Sequence, residues 1–363
     1  MRYIDEFRKV SLIHKVARAI RKITPDYDLN IMEVCGTHTQ NFFRFGLDKL
    51  LPGNLKFISG PGCPVCVSSQ EYIDKAIAYT QKDNVIVLTF GDMLRVPGSS
   101  STLEKERAKR GNVLVVYSAL DALTLAQKNP QHKIIFLAVG FETTACTIGL
   151  SVMEAKKEKL QNLFFFSSLK TIPAAMNCLV EDKKLNISGF LCPGHVSAII
   201  GTRPYEFIPK KYGISCCVAG FEPLDILEGI YFIVRQLIKR RPLVENQYKR
   251  VVTRAGNLKA QEIIAAVFQE SDASWRGLGE IPKSGLRLKK QFLEFDAEKI
   301  MPIKIKHRAC DPKQKLCRCG QVIKGLITPD ECALFRKGCS PENPYGPCMV
   351  SIEGACNAYY KYH

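Results

Sequence analysis

Leu55-Lys56-Phe57-Ile58-Ser59-Gly60-Pro61-Gly62-Cys63-Pro64-Val65-Cys66-Val67 is a strand-length apolar run that breaks into a turn and delivers two thiols three residues apart. The glycines accept backbone angles that other residues resist, and the two prolines stiffen the loop around the cysteines. A Cys-x-x-Cys placed at a strand's carboxyl end can form a disulfide, chelate a metal, or do both in sequence. A structural zinc half-site is the plain alternative, and it needs a second Cys/His pair nearby in the fold.

The same plan recurs outward from this stretch. Apolar runs enriched in β-branched and aromatic residues occur at 30–34, 55–59, 85–90, 113–117, 134–139, 163–166, 187–191 and 215–219, with helical patterns between most of them. That alternation predicts an α/β fold with largely parallel sheets. Eight strands exceed one compact sheet. The expected arrangement is two similar Rossmann-like lobes, residues 1–129 and 130–241, followed by a segment 242–363 in which the alternation fades and 261–268 reads as a helix.

Six strand ends carry polar or reactive motifs. They are Cys35-Gly36-Thr37-His38, Cys63-Pro64-Val65-Cys66, the stretch 91–99 with Asp92 and Arg95, Gly140-Phe141-Glu142, Cys192-Pro193-Gly194-His195 and Gly220-Phe221-Glu222-Pro223. Ligands of open α/β sheets bind beyond the carboxyl ends of the strands, so these motifs are expected to converge on a central cleft between the lobes.

Composition narrows the classes. Hydrophobic content of 46% and charged content of 24% are ordinary for a globular chain of 363 residues. No apolar stretch approaches the roughly 20 residues of a membrane span, and the N-terminal 24 residues mix charges with apolar positions at helical spacing. A cytoplasmic protein is expected. Fifteen cysteines then point to metal or redox chemistry rather than to a disulfide scaffold. The formal charge of +17 raises nucleic acid as a partner, but the basic residues are spread along the chain without a binding motif, and an acidic protein partner accounts for them equally well.

The cysteine-dense tail reads Cys317-x-Cys319, Cys332, Cys339, Cys348 and Cys356, with Cys310 a little ahead. Too few apolar residues accompany these thiols to build a core, so a metal is expected to staple the segment. Six thiols exceed the four that zinc or an iron–sulfur cluster needs. A [4Fe–4S] cluster with two extra thiols, Cys319 and Cys348, as a reducible pair beside it fits the spacing better than two close zinc pairs. This resembles the arrangement of ferredoxin:thioredoxin reductase, where the first cysteine of the Cys-x-Cys binds iron, and the resemblance implies Cys317, Cys332, Cys339 and Cys356 as ligands. The choice between Cys317 and Cys319 as ligand is open. In the cleft, Cys35, Cys63 and Cys66 with His38 make a set suited to iron or zinc, or a nucleophile–base pair. Glu142, Glu222 and His195 are candidate proton carriers, or groups that only orient their neighbours. Cys146, Cys178, Cys216 and Cys217 read as packing thiols.

Together the motifs at 32–39, 60–67, 90–99, 140–144, 193–201, 218–227, 275–279 and 348–360 resemble the HypD family of [NiFe]-hydrogenase maturation proteins, nearly end to end and in the family's order. The resemblance implies two α/β lobes around a cleft and a small iron–sulfur domain. It also implies a scaffold that, with the small chaperone HypC, carries the Fe(CN)2CO unit destined for the hydrogenase large subunit, with cyanide delivered by HypE. By position, Cys35, Cys63 and Cys66 match the family's essential cleft cysteines, with His38 and His195 beside them. Where some members of the family carry a second histidine, this chain has Gln40. A free-standing iron–sulfur thiol–disulfide reductase is the competing reading.

Overall fold

The computed structural model describes residues 4–305 and 315–363; Cys310 lies outside the described residues. Eleven strands are present among them: β1 (Leu29–Glu33), β2 (Leu55–Ser59), β3 (Val85–Thr89), β4 (Val113–Val115), β5 (Lys133–Gly140), β6 (Leu163–Lys170), β7 (Gly189–Pro193), β8 (Ser215–Ala219), β9 (Val244–Asn246), β10 (Phe268–Trp275) and β11 (Gly279–Leu288). All eight apolar runs are strands. In β5 and β8 nearly every residue is buried, as expected of parallel strands covered by helices on both faces.

The strands form two sheets, ordered β2-β1-β7-β8-β9 and β10-β11-β6-β5-β3-β4. The first is wholly parallel. The second is parallel except for the β10/β11 hairpin, whose β11 runs antiparallel to β6. Two largely parallel, Rossmann-like sheets are thus the architecture, as the alternation predicts.

The expected boundary at residue 129 does not separate them. The first sheet takes strands from 29–59 and 189–246, the second from 85–170 and 268–288, and residue 129 falls between two strands of the second sheet. Nor is 242–363 independent, since β9 joins one sheet and β10 and β11 the other. Hydrophobic periodicity reports that a strand exists but not which sheet it joins; here the connections after β2, β6 and β9 carry the chain across. The hairpin escapes a periodicity search because β10 is largely polar, with only Phe268 and Trp275 buried.

Register places the motifs together. Glu33 of β1 is level with Ser59 of β2 and Leu191 of β7, and Pro193 of β7 is level with Ala219 of β8. The segments after these strands therefore leave the sheet side by side. The cysteine-rich tail folds as short helices, Cys319–Ile323, Pro347–Val350 and Ala355–Tyr362. Its Cys319, Cys348 and Met349 share one apolar cluster with Cys63, Cys66, Val139 and Trp275, so tail and sheets have a common core.

Candidate thiol and metal site

Glycine lets the two cysteine turns nest backbone to backbone. Cys35 is the extended residue before the helix Gly36–Arg44, and Cys63 holds the same place before the single turn Pro64–Val67. The Gly36 amide donates to the Gly62 carbonyl at 3.1 Å. A Cβ on Gly62 would stand 2.1 Å from the Cys35 nitrogen, and one on Gly36 2.5 Å from the Glu353 Cβ. The Cys63 and Cys66 sulfurs are 2.6 Å apart, and the Cys66 amide donates to the Cys63 sulfur at 3.3 Å. This pair is placed to alternate between dithiol and disulfide.

Cys35 faces an imidazole rather than the other thiols: its sulfur is 3.6 Å from Nε2 of His195, the second residue of the helix Gly194–Ile200. The Phe221 ring lies against both histidines, 4.8 Å from His195 and 4.9 Å from His38. His38 Nε2 donates to the Gly220 carbonyl at 2.8 Å, which leaves Nδ1 buried with a free lone pair. Burial lowers His38 to about 4 and also lowers His195, so both are neutral imidazoles near pH 7. Burial and the charges of Glu353 and Glu33 push the Cys35 thiol up.

The carboxylates differ from expectation. Glu142 is buried at the start of the helix Glu142–Lys157; one oxygen accepts the Ile172 amide at 3.0 Å and the other has no partner. Burial raises it to about 7. Glu222 is not a free proton carrier. It caps the helix Pro223–Ile238 in a reciprocal box with Asp225, and its carboxylate is held by the Arg8 guanidinium, at 2.9 Å on one side. A glutamate just before a helix-opening proline meets unsatisfied amides, and those capture it. The acids beside Cys35 are instead Glu33 and Glu353. Glu33 Oε2 accepts the Cys35 amide at 2.6 Å, and Glu353 accepts the Thr37 hydroxyl at 2.7 Å. A charged residue inside the apolar run at 30–34 was the available signal for Glu33. Nothing local marks Glu353, which arrives from the far end of the chain.

Six tail cysteines, Cys317, Cys319, Cys332, Cys339, Cys348 and Cys356, line one small cavity with Leu334, Phe335, Gly346 and Met349. The Cys66 sulfur lies 3.8 Å from the Pro347 carbonyl, next to Cys348, and Cys63, Cys66, Cys319 and Cys348 share one buried cluster, so the cleft pair adjoins the cysteine-lined cavity.

Comparison with known proteins extends this picture over the whole chain. A family model, HypD, described as "Hydrogenase formation hypA family", matches residues 11–363. The chain is 44% identical to "Hydrogenase maturation factor HypD" of Escherichia coli (strain K12), an alignment covering 100% of this chain and 98% of that protein. It is 42% identical to the proteins of the same name from Cupriavidus necator and Rhodobacter capsulatus, covering 100% of this chain and 97% and 98% of theirs. The chain belongs to the HypD family.

For this HypD-family chain the donor chemistry can be tested against an iron–sulfur cluster. The cavity offers more than four thiols, apolar walls, and a glycine where a side chain would strike sulfur: a Cβ on Gly346 would lie 2.6 Å from the Cys317 sulfur. Without a cation the thiols resist ionisation. The hydrogen bond to Cys319 and burial push Cys317 up, and burial pushes Cys339 up to about 11. Among the described residues no three Cys, His, Asp or Glu side chains converge on a single-ion position. A cluster spreads its four thiolates over different irons, so a ring of thiols around a cavity fits it better than one zinc. The grouping of Cys35, Cys63 and Cys66 expected as one metal set is arranged instead as a Cys35–His195 pair beside a Cys63–Cys66 pair.

Proposed function

We propose that this HypD-family chain, a hydrogenase maturation factor, is a cytoplasmic scaffold on which the Fe(CN)2CO group is assembled with HypC and HypE before passing to the hydrogenase large subunit. The observation that carries the reading is that the Cys63–Cys66 pair packs against the tail at Pro347, in one buried cluster with the cysteines that line the cavity. No helix among the described residues is long and apolar enough to cross a membrane.

In this reading Cys317, Cys332, Cys339 and Cys356 would hold a [4Fe–4S] cluster, which supplies single electrons when bound. Cys319 and Cys348, which line the cavity and share a buried cluster with Cys63 and Cys66, form the reducible pair. Cys63 and Cys66 supply two electrons and two protons as they close to a disulfide. Those are what the release of cyanide from a thiocyanate requires: the carrier sulfur leaves as a thiol and cyanide as hydrogen cyanide. Cys35 and the neutral His195 are the soft and borderline donors for the cyanide-bearing iron cargo, with Phe221 limiting water on one side. Replacing both Cys63 and Cys66 by Ala abolishes retention of cyanide-bearing iron on the purified protein, read by infrared spectroscopy; retention equal to wild type would sink the scaffold reading.

The 2.6 Å Cys63–Cys66 approach also favours a second reading, an iron–sulfur thiol–disulfide reductase acting on a protein substrate. Turnover of a protein disulfide without any iron beyond the cluster distinguishes it.

A further inference from the structure

Glu33 is wholly buried on β1, and none of the chemistry above uses it. Among the described residues no basic side chain lies within ion-pair distance of it. Its neighbours Ile31, Met32 and Val34 are apolar and buried. A carboxyl group in such a place costs several kcal/mol unless it is hydrogen-bonded, and a leucine would pack the strand without that cost.

Its hydrogen bonds say what it does. Oε2 accepts the Cys35 amide at 2.6 Å, and Oε1 is bonded to the Thr39 hydroxyl. Ser59, level with Glu33 in the parallel ladder, faces the carboxyl group from β2. The partners therefore come from three pieces of chain: the turn bearing Cys35, the first turn of the helix after it, and the end of β2 that opens into Gly60-Pro61-Gly62-Cys63. The main chain joins the two turns only weakly beyond the ladder. β1 and β2 stay in register to Glu33 and Ser59; after that, the Gly60 amide bonds the Glu33 carbonyl at 2.8 Å and the Gly36 amide bonds the Gly62 carbonyl at 3.1 Å.

We infer that Glu33 is a positioning residue: its side chain clamps the Cys35 turn to the Cys63–Cys66 turn and so sets the spacing of the three cleft thiols. The inference rests on the cleft being the thiol site. Glu33 acts through Cys35 and touches no cargo. Its role is hydrogen bonding, so glutamine serves in its place: Oε1 accepts the Cys35 amide, and Nε2 donates to the hydroxyls of Thr39 and Ser59, which turn to accept.

The test uses the purified, reduced full chain without partners. Iodoacetamide labelling of Cys35 is followed by peptide mass spectrometry, normalised to Cys178, a half-buried thiol in the helix Ile172–Glu181, with the melting temperature recorded alongside. Glu33→Gln keeps the Cys35-to-Cys178 ratio within about twofold of wild type, and Glu33→Leu raises it about tenfold while the protein remains folded. A folded Glu33→Leu protein with the wild-type ratio overturns the inference, as does Glu33→Gln matching Glu33→Leu. Should Glu33→Leu fail to fold, the double variant Thr39→Val, Ser59→Ala leaves the carboxyl group in place; it shifts the ratio in the same direction, and an unchanged ratio overturns the inference. A residue that only stabilised the fold would lower the melting temperature without moving the ratio. Because no iron cargo or partner enters, this result stands apart from success or failure of the scaffold reading.

Discussion

Glu142 shows how burial decides a residue's behaviour. Its carboxyl group is raised from 4.5 to about 7, by burial first, so between those values the folded chain holds a proton that the unfolded chain has lost. Stability therefore falls as pH rises through that window and stays lower above it, by at most about 3 kcal/mol. Glu142→Gln removes the penalty. On going from pH 5 to pH 8 the wild type loses more denaturation free energy than the variant, measured by urea titration; parallel losses would contradict this. At this scale sequence was a good guide to thiols and histidines, because cysteine clusters and strand-end histidines are rare enough to notice. It was a poor guide to carboxylates. Glu222 and Glu142 follow the same Gly-Phe, yet one is taken by Arg8 and a helix start while the other is buried with a free oxygen. Partners that arrive from residues 8 and 353 leave no trace in a local motif.

At the scale of elements, the strand-to-turn unit repeats wherever chemistry is placed, and its glycines are steric requirements. Gly62→Ala drives a methyl group into the Cys35 backbone, where neither side can yield easily. A loss of about 3 kcal/mol is expected, from the upper end of overpacking costs. Gly53→Ala is the control, since nothing lies within 4 Å of its new methyl group. Comparable denaturation midpoints for the two variants would rule out the nested-turn geometry. Strand positions were legible because buried parallel strands are continuous apolar runs. Sheet membership was not, since β2 and β3 are consecutive apolar runs that belong to different sheets. The polar β10 and the short β9 carry too little hydrophobic signal to be seen.

Across the whole molecule, the tail ties both sheets together. Ser351 donates to Asp92, after β3 of the second sheet, at 2.6 Å; Thr37, after β1 of the first, donates to Glu353 at 2.7 Å. Arg95 reaches the carbonyls of Pro341 and Glu342. The stretch 91–99, ordinary as a surface turn, is thus the dock for the cysteine-rich region. Asp92→Ala leaves the Ser351 hydroxyl without its acceptor and costs about 1–2 kcal/mol of local stability. Amide hydrogen exchange should then quicken across 347–358 while β5 keeps its protection; uniform change over both would contradict a local docking role. Family membership was readable from motif order, but the continuity from cleft to cavity was not, because it depends on the tail folding back onto Cys66.

Iron and acid-labile sulfide per chain, on protein purified anaerobically with its maturation partners and examined by infrared spectroscopy, bear most directly on that continuity. Four irons and four sulfides, with a further fraction of iron, are expected, about the content of one cubane cluster plus cargo. Cyanide and carbonyl bands should accompany them and should vanish in the Cys63→Ala, Cys66→Ala protein. Zinc in place of iron, or sulfide-free protein, would contradict the assignment of the cysteine-lined cavity. A full cluster with a silent infrared spectrum would return the cleft thiols to disulfide chemistry alone.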